Sequence, residues 1–410
     1  MILEEKLIVD IVRLNNEGEG VALFNNLVIF VKGALTGEKV KIKIIELKKN
    51  YARGELLEII KKSYDRKEPI CPHYNICGGC DIMHMSEELQ LEFKRKKIED
   101  IFKKICKLDI NVKDIKTYNN LYYRNKITLR VEKDKIGYYK QKSNTLVPID
   151  ECIICDRLIN ETFVKIKEFI THYKSNKINE VMIRNAKDEI MVYVDTINNR
   201  WKDKFIDKLE GITSLYIGDK LVYGINSINQ KLNDLVFDIS PKSFFQINIE
   251  AISNLYKYAL KKVDNQNICV DLYSGTGTIA MLLASKARRV IGIEVVKDAI
   301  KDAKNSLLLN GIENVEFKEG RVEDLIDELI DLNIDTLVLD PPRSGSDKRS
   351  LRALLKIKPK NIIYISCNPV TLARDYNVIR NLYEIDEITG FDCFPNTHHV
   401  ETVMILERKN

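Results

Sequence analysis

Ile268-Cys269-Val270-Asp271-Leu272-Tyr273-Ser274-Gly275-Thr276-Gly277-Thr278 decides the fold class. A short apolar run stops at a turn with two glycines and a helical pattern follows, so a buried strand feeds a helix through a tight loop. Glycines in such a loop let the backbone approach a ligand at the helix N-terminus. Glu294 ends the next apolar run, where a carboxylate can accept hydrogen bonds from ribose hydroxyls. The turn has no third glycine and no Walker lysine, which argues against a dinucleotide or ATP. The plain alternative is an ordinary βα turn, with Tyr273 a packing residue rather than one lying under a cofactor.

Working outward, regular βα alternation begins after Pro241 and predicts strands over 268–272, 290–294, 315–318, 335–340, 361–366, 383–391 and 400–407. The link between the last two contains Pro395 and is too short for a crossover, so these two form an antiparallel hairpin. Residues 241–410 are therefore expected to form an α/β domain. Its seven strands ending in a hairpin resemble the Rossmann-like sheet of S-adenosylmethionine-dependent methyltransferases. Asp340-Pro341-Pro342-Arg343 closes the fourth strand, and its diproline can hold a rigid loop beside the methyl group. Amino-methyltransferases carry a similar loop followed by an aromatic residue. Arg343 in that place speaks against methylation of an amino group.

The 410 residues exceed one ordinary core, so two or three domains are expected. Residues 1–62 alternate β-rich runs with glycine turns and read as a small β-barrel. Lys39, Lys41, Lys43, Lys48, Lys49 and Arg53 crowd its second half around Tyr51, a pattern that suits either an RNA backbone with stacked bases or a solvated strand face. Residues 63–240 read as an α+β middle domain. Ser86 caps a charged helix there, a second helix covers 160–173, and strands are expected over 127–131, 181–184 and 190–194.

Net charge decides little, since 65 Lys and Arg face 60 Asp and Glu. No apolar run reaches the ~18 residues of a membrane span, and the start turns acidic at Glu4-Glu5. A cytoplasmic protein without a membrane partner is expected. In that reducing setting the nine cysteines are free, catalytic or metal-bound rather than paired. Cys71, Cys77 and Cys80, with Gly78-Gly79 between the last two, have metal-ligand spacing and need a fourth ligand that Cys152 or Cys155 can supply. Zinc suits such thiolates as well as iron does, and His73 or His84 could then substitute. Cys106, Cys269 and Cys393 read as packing residues.

Cys367 is different, because Ser366-Cys367-Asn368-Pro369 follows the apolar run Ile362-Ile363 and puts a thiol where a strand breaks. Ligands of open α/β sheets collect outside the carboxyl ends of the strands, so this thiol is placed to act as a nucleophile. A buried structural thiol is the alternative. Methylating a ring carbon requires a carbanion-like centre, which a thiolate adding to C6 of uracil creates at C5. A base must then remove the C5 proton. Glu401, at the start of the last strand, is the candidate base, or else a polar residue at a strand start.

Four motifs together resemble the RNA 5-methyluridine methyltransferases over essentially the whole chain. They are Ser366-Cys367-Asn368-Pro369 with Leu372-Ala373-Arg374-Asp375; Asp340-Pro341-Pro342-Arg343; Ser243-Phe244-Phe245-Gln246-Ile247-Asn248; and His398-His399-Val400-Glu401-Thr402-Val403. The resemblance implies Cys367 as nucleophile, Glu401 as proton acceptor, and Gln246, Tyr273, Glu294 and Asp340 as the residues that hold S-adenosylmethionine. Its ribosomal-RNA branch shares the cysteine spacing, which implies a 4Fe-4S cluster on Cys71, Cys77, Cys80 and Cys152, with zinc as the alternative. Alignment of the stretch from Cys152 to Asn160 with the family pattern selects Cys152 over Cys155.

The N-terminal barrel is similar to a TRAM domain, an OB-like RNA-binding module, and Tyr123-Arg124-Asn125-Lys126 resembles a motif near the substrate. Phe244 and Phe245 either wall a base turned out of its stack or pack in the core. One departure is Arg321, which stands where related sequences have a short polar residue near adenine. The expectation is a monomeric enzyme methylating C5 of a uridine in structured RNA. Of the RNA classes, 23S ribosomal RNA is expected over tRNA, because tRNA-directed relatives generally lack the barrel and the cluster. The rivals are a non-catalytic RNA-binding or ribosome-assembly factor and a cytosine methyltransferase. The latter is disfavoured because Arg343, not Cys, follows Pro342.

Overall fold

Leu7, Val9 and Ile11 are buried while Lys6, Ile8 and Asp10 between them are exposed, the period-two alternation of a strand with one face on a core. The computed structural model describes residues 2–173, 177–196 and 200–409. In it, Lys6–Leu14 joins Gly20–Phe24, Leu27–Val31, Lys39–Leu47 and Tyr51–Lys61 in a closed five-stranded barrel. Tyr51–Lys61 closes it by pairing parallel to the third strand and antiparallel to the fourth. Much of the basic strand is neutralised by its neighbours. Lys43 pairs with Glu4 and Glu55, and Arg53 with Glu19 and Glu46. Lys39, Lys41 and Lys49 have no carboxylate partner among the described residues.

The middle of the chain forms a sheet of Lys126–Glu132, Lys135–Tyr139, Leu146–Pro148, Glu180–Ala186, Glu189–Asp195, Ser214–Ile217 and Lys220–Gly224. The helices Arg157–Tyr173 and Lys202–Lys208 cover it through Phe163, Ile166, Phe169 and Phe205. The helix Glu87–Cys106 begins as expected at Ser86, whose hydroxyl accepts from Leu89 N at 3.1 Å. Its first half packs Leu89 and Phe93 against Ile82 and Met85 of the middle segment, but its second half does not stay there. Ile98, Ile101, Phe102 and Cys106 join Leu372, Tyr376 and Ile388 in the core of the C-terminal sheet. Each large apolar side chain so buried contributes roughly 1.5–3 kcal/mol. Lys94, fully buried on the same helix, pairs with Asp392 at 2.5 Å.

The C-terminal sheet comprises Gln266–Leu272, Ala287–Glu294, Val315–Glu319, Thr336–Leu339, Asn361–Ser366, Tyr383–Phe391 and Glu401–Arg408. The strands lie in the order third, second, first, fourth, fifth, seventh, sixth, with the seventh antiparallel to both neighbours. All the strand runs expected after Pro241 are present, with ends shifted by a residue or a few. Strand order reverses between the first and fourth strands, where ligand crevices form in such sheets. Among the described residues no helix is long and apolar enough to cross a membrane.

Candidate active site

The turn after the first strand takes a strained path. Tyr273 has φ 65°, in the left-handed region that a bulky side chain rarely adopts, and Gly277 has φ 78°. A Cβ at Gly277 would stand 2.5 Å from the Phe317 ring, so only glycine fits. Glu294 stiffens the turn: its Oε2 accepts from Gly275 N at 2.9 Å and its Oε1 from Val295 N and Val296 N at 2.8 Å. Asp271 Oδ2 accepts from Ala280 N, while Asp271 Oδ1 and the Ser274 hydroxyl are buried without a partner. Orphaned polar atoms at such a turn fit a site built for a polar ligand.

Cys367 emerges where the fifth strand meets the helix Pro369–Ile379. The Asn368 side chain caps that helix by accepting from Val370 N, and Pro369 occupies its first turn. Asn368 Nδ2 also donates to Arg343 O at 3.1 Å, which ties the thiol's turn to the diproline loop. Buried Asp375 holds the far end of that loop, accepting from Ser346 N at 2.8 Å and Tyr364 OH at 2.6 Å. A Cβ at Gly345 would come within 2.4 Å of Arg374, so the loop can lie this close only with glycine there.

These elements enclose a cleft of about 1320 Å³. Cys367, Glu401, Gln246, Tyr273, Glu294 and Asp340 all line it, and so do Arg321, Phe244 and Phe245. Phe244 is 68 % exposed, as a wall residue would be, whereas Phe245 is buried against Phe237. Gln246 is backed by buried Tyr256, whose hydroxyl faces the Gln246 amide. Sequence reasoning gave no role to Tyr256, Phe394 or His399, which also line the cleft. The His-His-Val-Glu stretch was the available signal.

Charge in the cleft is unbalanced. Burial pushes Asp340 up to about 7. Burial, with Asp340 adding to it, pushes Glu401 up to about 8, and Arg343 opposes the shift. Asp271 is likewise raised, by burial and by Asp340. Cys367 is pushed up to about 11 by burial and by Glu401, with Arg343 again in opposition. A cluster of buried carboxyls that resist ionisation is a site prepared for a cation. The sulfonium of S-adenosylmethionine is one.

Residues 86–409 match the family model for tRNA (uracil-5-)-methyltransferase, and residues 5–57 that for the TRAM domain. The chain belongs to this methyltransferase family. An RNA methyltransferase of Clostridium acetobutylicum is 37% identical to it, covering 96% of this chain and 95% of that one. One of Caldanaerobacter subterraneus is 36% identical, covering 98% of each. Among solved structures, the tRNA (uracil-54, C5)-methyltransferase of Pyrococcus abyssi in complex with S-adenosyl-L-homocysteine is similar. It has a TM-score of 0.80 and 28% identity, covering 98% of this chain and 100% of that one. The protein is thus an S-adenosylmethionine-dependent RNA methyltransferase of the uracil-5 family with a TRAM barrel.

The methyltransferase has a second, much smaller hollow of about 30 Å³, lined by Cys71, Cys77, Cys80 and Cys152 with His73, Tyr74 and Arg124. Cys155 lies behind it in the core of the middle sheet, and His84 turns away to bond Tyr74 OH. Among the described residues, no three His, Cys, Asp or Glu side chains converge as ligands of a single ion. The described residues thus give no direct support to either the 4Fe-4S cluster or the zinc expected there. Gly79 N donates to Cys77 Sγ at 3.4 Å, a contact that suits a ligating thiolate. Cys106, Cys269 and Cys393 are buried, as packing residues are.

Proposed function

We propose that the enzyme methylates C5 of a uridine in 23S ribosomal RNA through a covalent Cys367–C6 adduct. The observation that carries the chemistry is the meeting of Cys367, Glu401 and Arg343 in one cleft beside the Gly275–Gly277 turn. Arg343 is the cation that favours the thiolate. Cys367 adds to C6, electron density moves to C5 and O4, and C5 takes the methyl group. S-adenosylmethionine, held by Gln246, Tyr273, Glu294 and Asp340, supplies that methyl as an electrophile. Glu401 then accepts the C5 proton, and the returning electron pair expels the Cys367 thiolate. Glu401 must be ionised to do so, and a sulfonium in the same cleft lowers the proton affinity that burial raised.

The three parts divide the work in this reading. Residues 1–62 grip the RNA backbone through Lys39, Lys41 and Lys49, residues 63–240 present the target strand, and residues 241–410 carry the chemistry. Phe244 stacks on the extruded base. Cys71, Cys77, Cys80 and Cys152 would hold a 4Fe-4S cluster, which when bound would cross-link the chain around the hollow. The cysteine spacing supports the ribosomal substrate. A tRNA substrate is the second reading, favoured by the full-length match to a tRNA enzyme, which removes the barrel as a discriminator. Incubating the enzyme with labelled S-adenosylmethionine and separately transcribed 23S RNA and tRNA, then digesting to nucleosides, tests both. 5-Methyluridine from 23S RNA is expected. Label in tRNA alone rejects the ribosomal assignment, and methylcytidine rejects the chemistry.

A further inference from the structure

The link 392–400 carries Phe394 and His399 and delivers Glu401 to the cleft. Most groups that hold it come from outside the C-terminal sheet. Asp81 N and Ile82 N donate to Asn396 O at 3.0 and 3.1 Å. Asn396 N donates to Gln90 Oε1 at 3.1 Å, Lys97 Nζ to His398 O at 2.8 Å, and Tyr123 OH to Pro395 O at 3.2 Å. One chain of side chains among these contacts runs through every part of the molecule. Lys32 Nζ on the barrel donates to Gln141 Oε1 at 2.5 Å, and Gln141 Nε2 in the middle sheet's turn donates to Asp81 Oδ1 at 2.8 Å. His398 Nδ1 donates to Asp81 Oδ2 at 2.8 Å. Only one orientation of the Gln141 amide satisfies both neighbours, because an ammonium needs an acceptor and a carboxylate needs a donor. The Asp81 and His398 side chains are 13% and 21% exposed, so this bond is shielded as a surface pair is not.

We propose that Lys32, Gln141, Asp81 and His398 are positioning residues: the docking of barrel and middle sheet sets the placement of link 392–400, and through it the reach of Glu401 to the C5 proton. The inference rests on the chemistry proposed for Cys367 and Glu401. Among the described residues His398 makes the last side-chain hydrogen bond before Val400 enters the core and the strand Glu401–Arg408 begins. A small displacement of the base leaves Cys367 able to add to C6, yet slows the step in which the C5 proton departs. The adduct then outlives the methyl transfer.

The test measures single-turnover methylation, the fraction of RNA in a denaturant-stable adduct, and KM for each substrate. The variants are His398→Ala, His398→Gln, Gln141→Ala and the double alanine variant. His398→Ala is expected to lower kcat on the order of 10-fold and to raise the adduct fraction toward that of Glu401→Gln. KM for S-adenosylmethionine should move by less than about 2-fold. His398→Gln, which keeps a donor, should recover most of the rate, and the double variant should be no worse than the poorer single one. Gln141→Ala, on a turn away from the cleft, carries the test if His398→Ala does not fold. A wild-type adduct fraction in both single variants overturns the proposal, as does an additive double variant whose rate follows only the folded fraction. Absence of adduct in Glu401→Gln as well overturns the chemistry at Cys367, and the positioning chain with it.

Discussion

The cleft and the cysteine hollow both gather reactive side chains, but they solve opposite physical problems. The cleft is wide and electrically incomplete: its carboxyls and thiol are held away from ionisation, and the Ser274 hydroxyl in its lining lacks a partner, as does Asp271 Oδ1 buried in the strand before it. The hollow is about 30 Å³, and its thiols are spread among apolar neighbours such as Ile153 and Ile154. The first arrangement pays a folding cost that substrates repay, whereas the second suits a group that stays bound. In the proposed roles, chemistry and architecture should be separable by mutation, although both use cysteine.

The largest break in that comparison is Cys367→Ala. It should lower methyl transfer by about 10⁴-fold or more, as loss of a nucleophile does, and abolish the RNA adduct. Iron content and folding should be unchanged. Gel analysis of the denatured adduct and iron determination check the two halves. On the proposal that Cys71, Cys77, Cys80 and Cys152 hold a 4Fe-4S cluster, Cys80→Ser should do the converse: iron is lost, melting temperature falls by about 5 °C or more, and S-adenosylmethionine affinity measured by calorimetry stays within about 3-fold.

Between the two regions lies the Lys94–Asp392 pair, with side chains 0% and 3% exposed. Lys94→Met leaves a buried carboxylate unpaired and should cost about 3–5 kcal/mol in denaturant unfolding, with Lys94→Met/Asp392→Leu recovering much of it.

The smallest expected effect is on pH. Arg343 lowers the proton affinity of both Cys367 and Glu401, and in the proposed mechanism both act in their deprotonated forms. Removing the cation raises both, so Arg343→Gln should move the rising limb of kcat/KM alkaline by about one pH unit. A profile that stays in place would mean that Arg343 does not face the reacting groups.

Much of this was legible in the chain. The strand runs after Pro241, the Ser86 cap and the barrel's alternation are local patterns, encoded in the spacing of apolar and turn residues. The resemblance carried Cys367 and Glu401 into one site, and the cleft does bring them together. The helix Glu87–Cys106 shows where local reading stops: its apolar stripe announces a buried face without naming the sheet that buries it. Tyr256 and Gly345 were equally silent, because each matters through a neighbour it meets only after folding.

The sequence by itself determined the elements and the reactive groups, since backbone period, turn chemistry and side-chain nucleophilicity are properties of residues and short spacings. Only the tertiary structure decided which groups share an environment. Lys94 and Asp392 are 298 positions apart, and Asp81 and His398 are 317. Nothing local couples such pairs; burial in a common core selects them, because an unpaired charge there is too costly to keep. The raised carboxyls of Asp340 and Glu401 arise in the same way, from desolvation that exists only once the sheet, the loop and the link have closed around them.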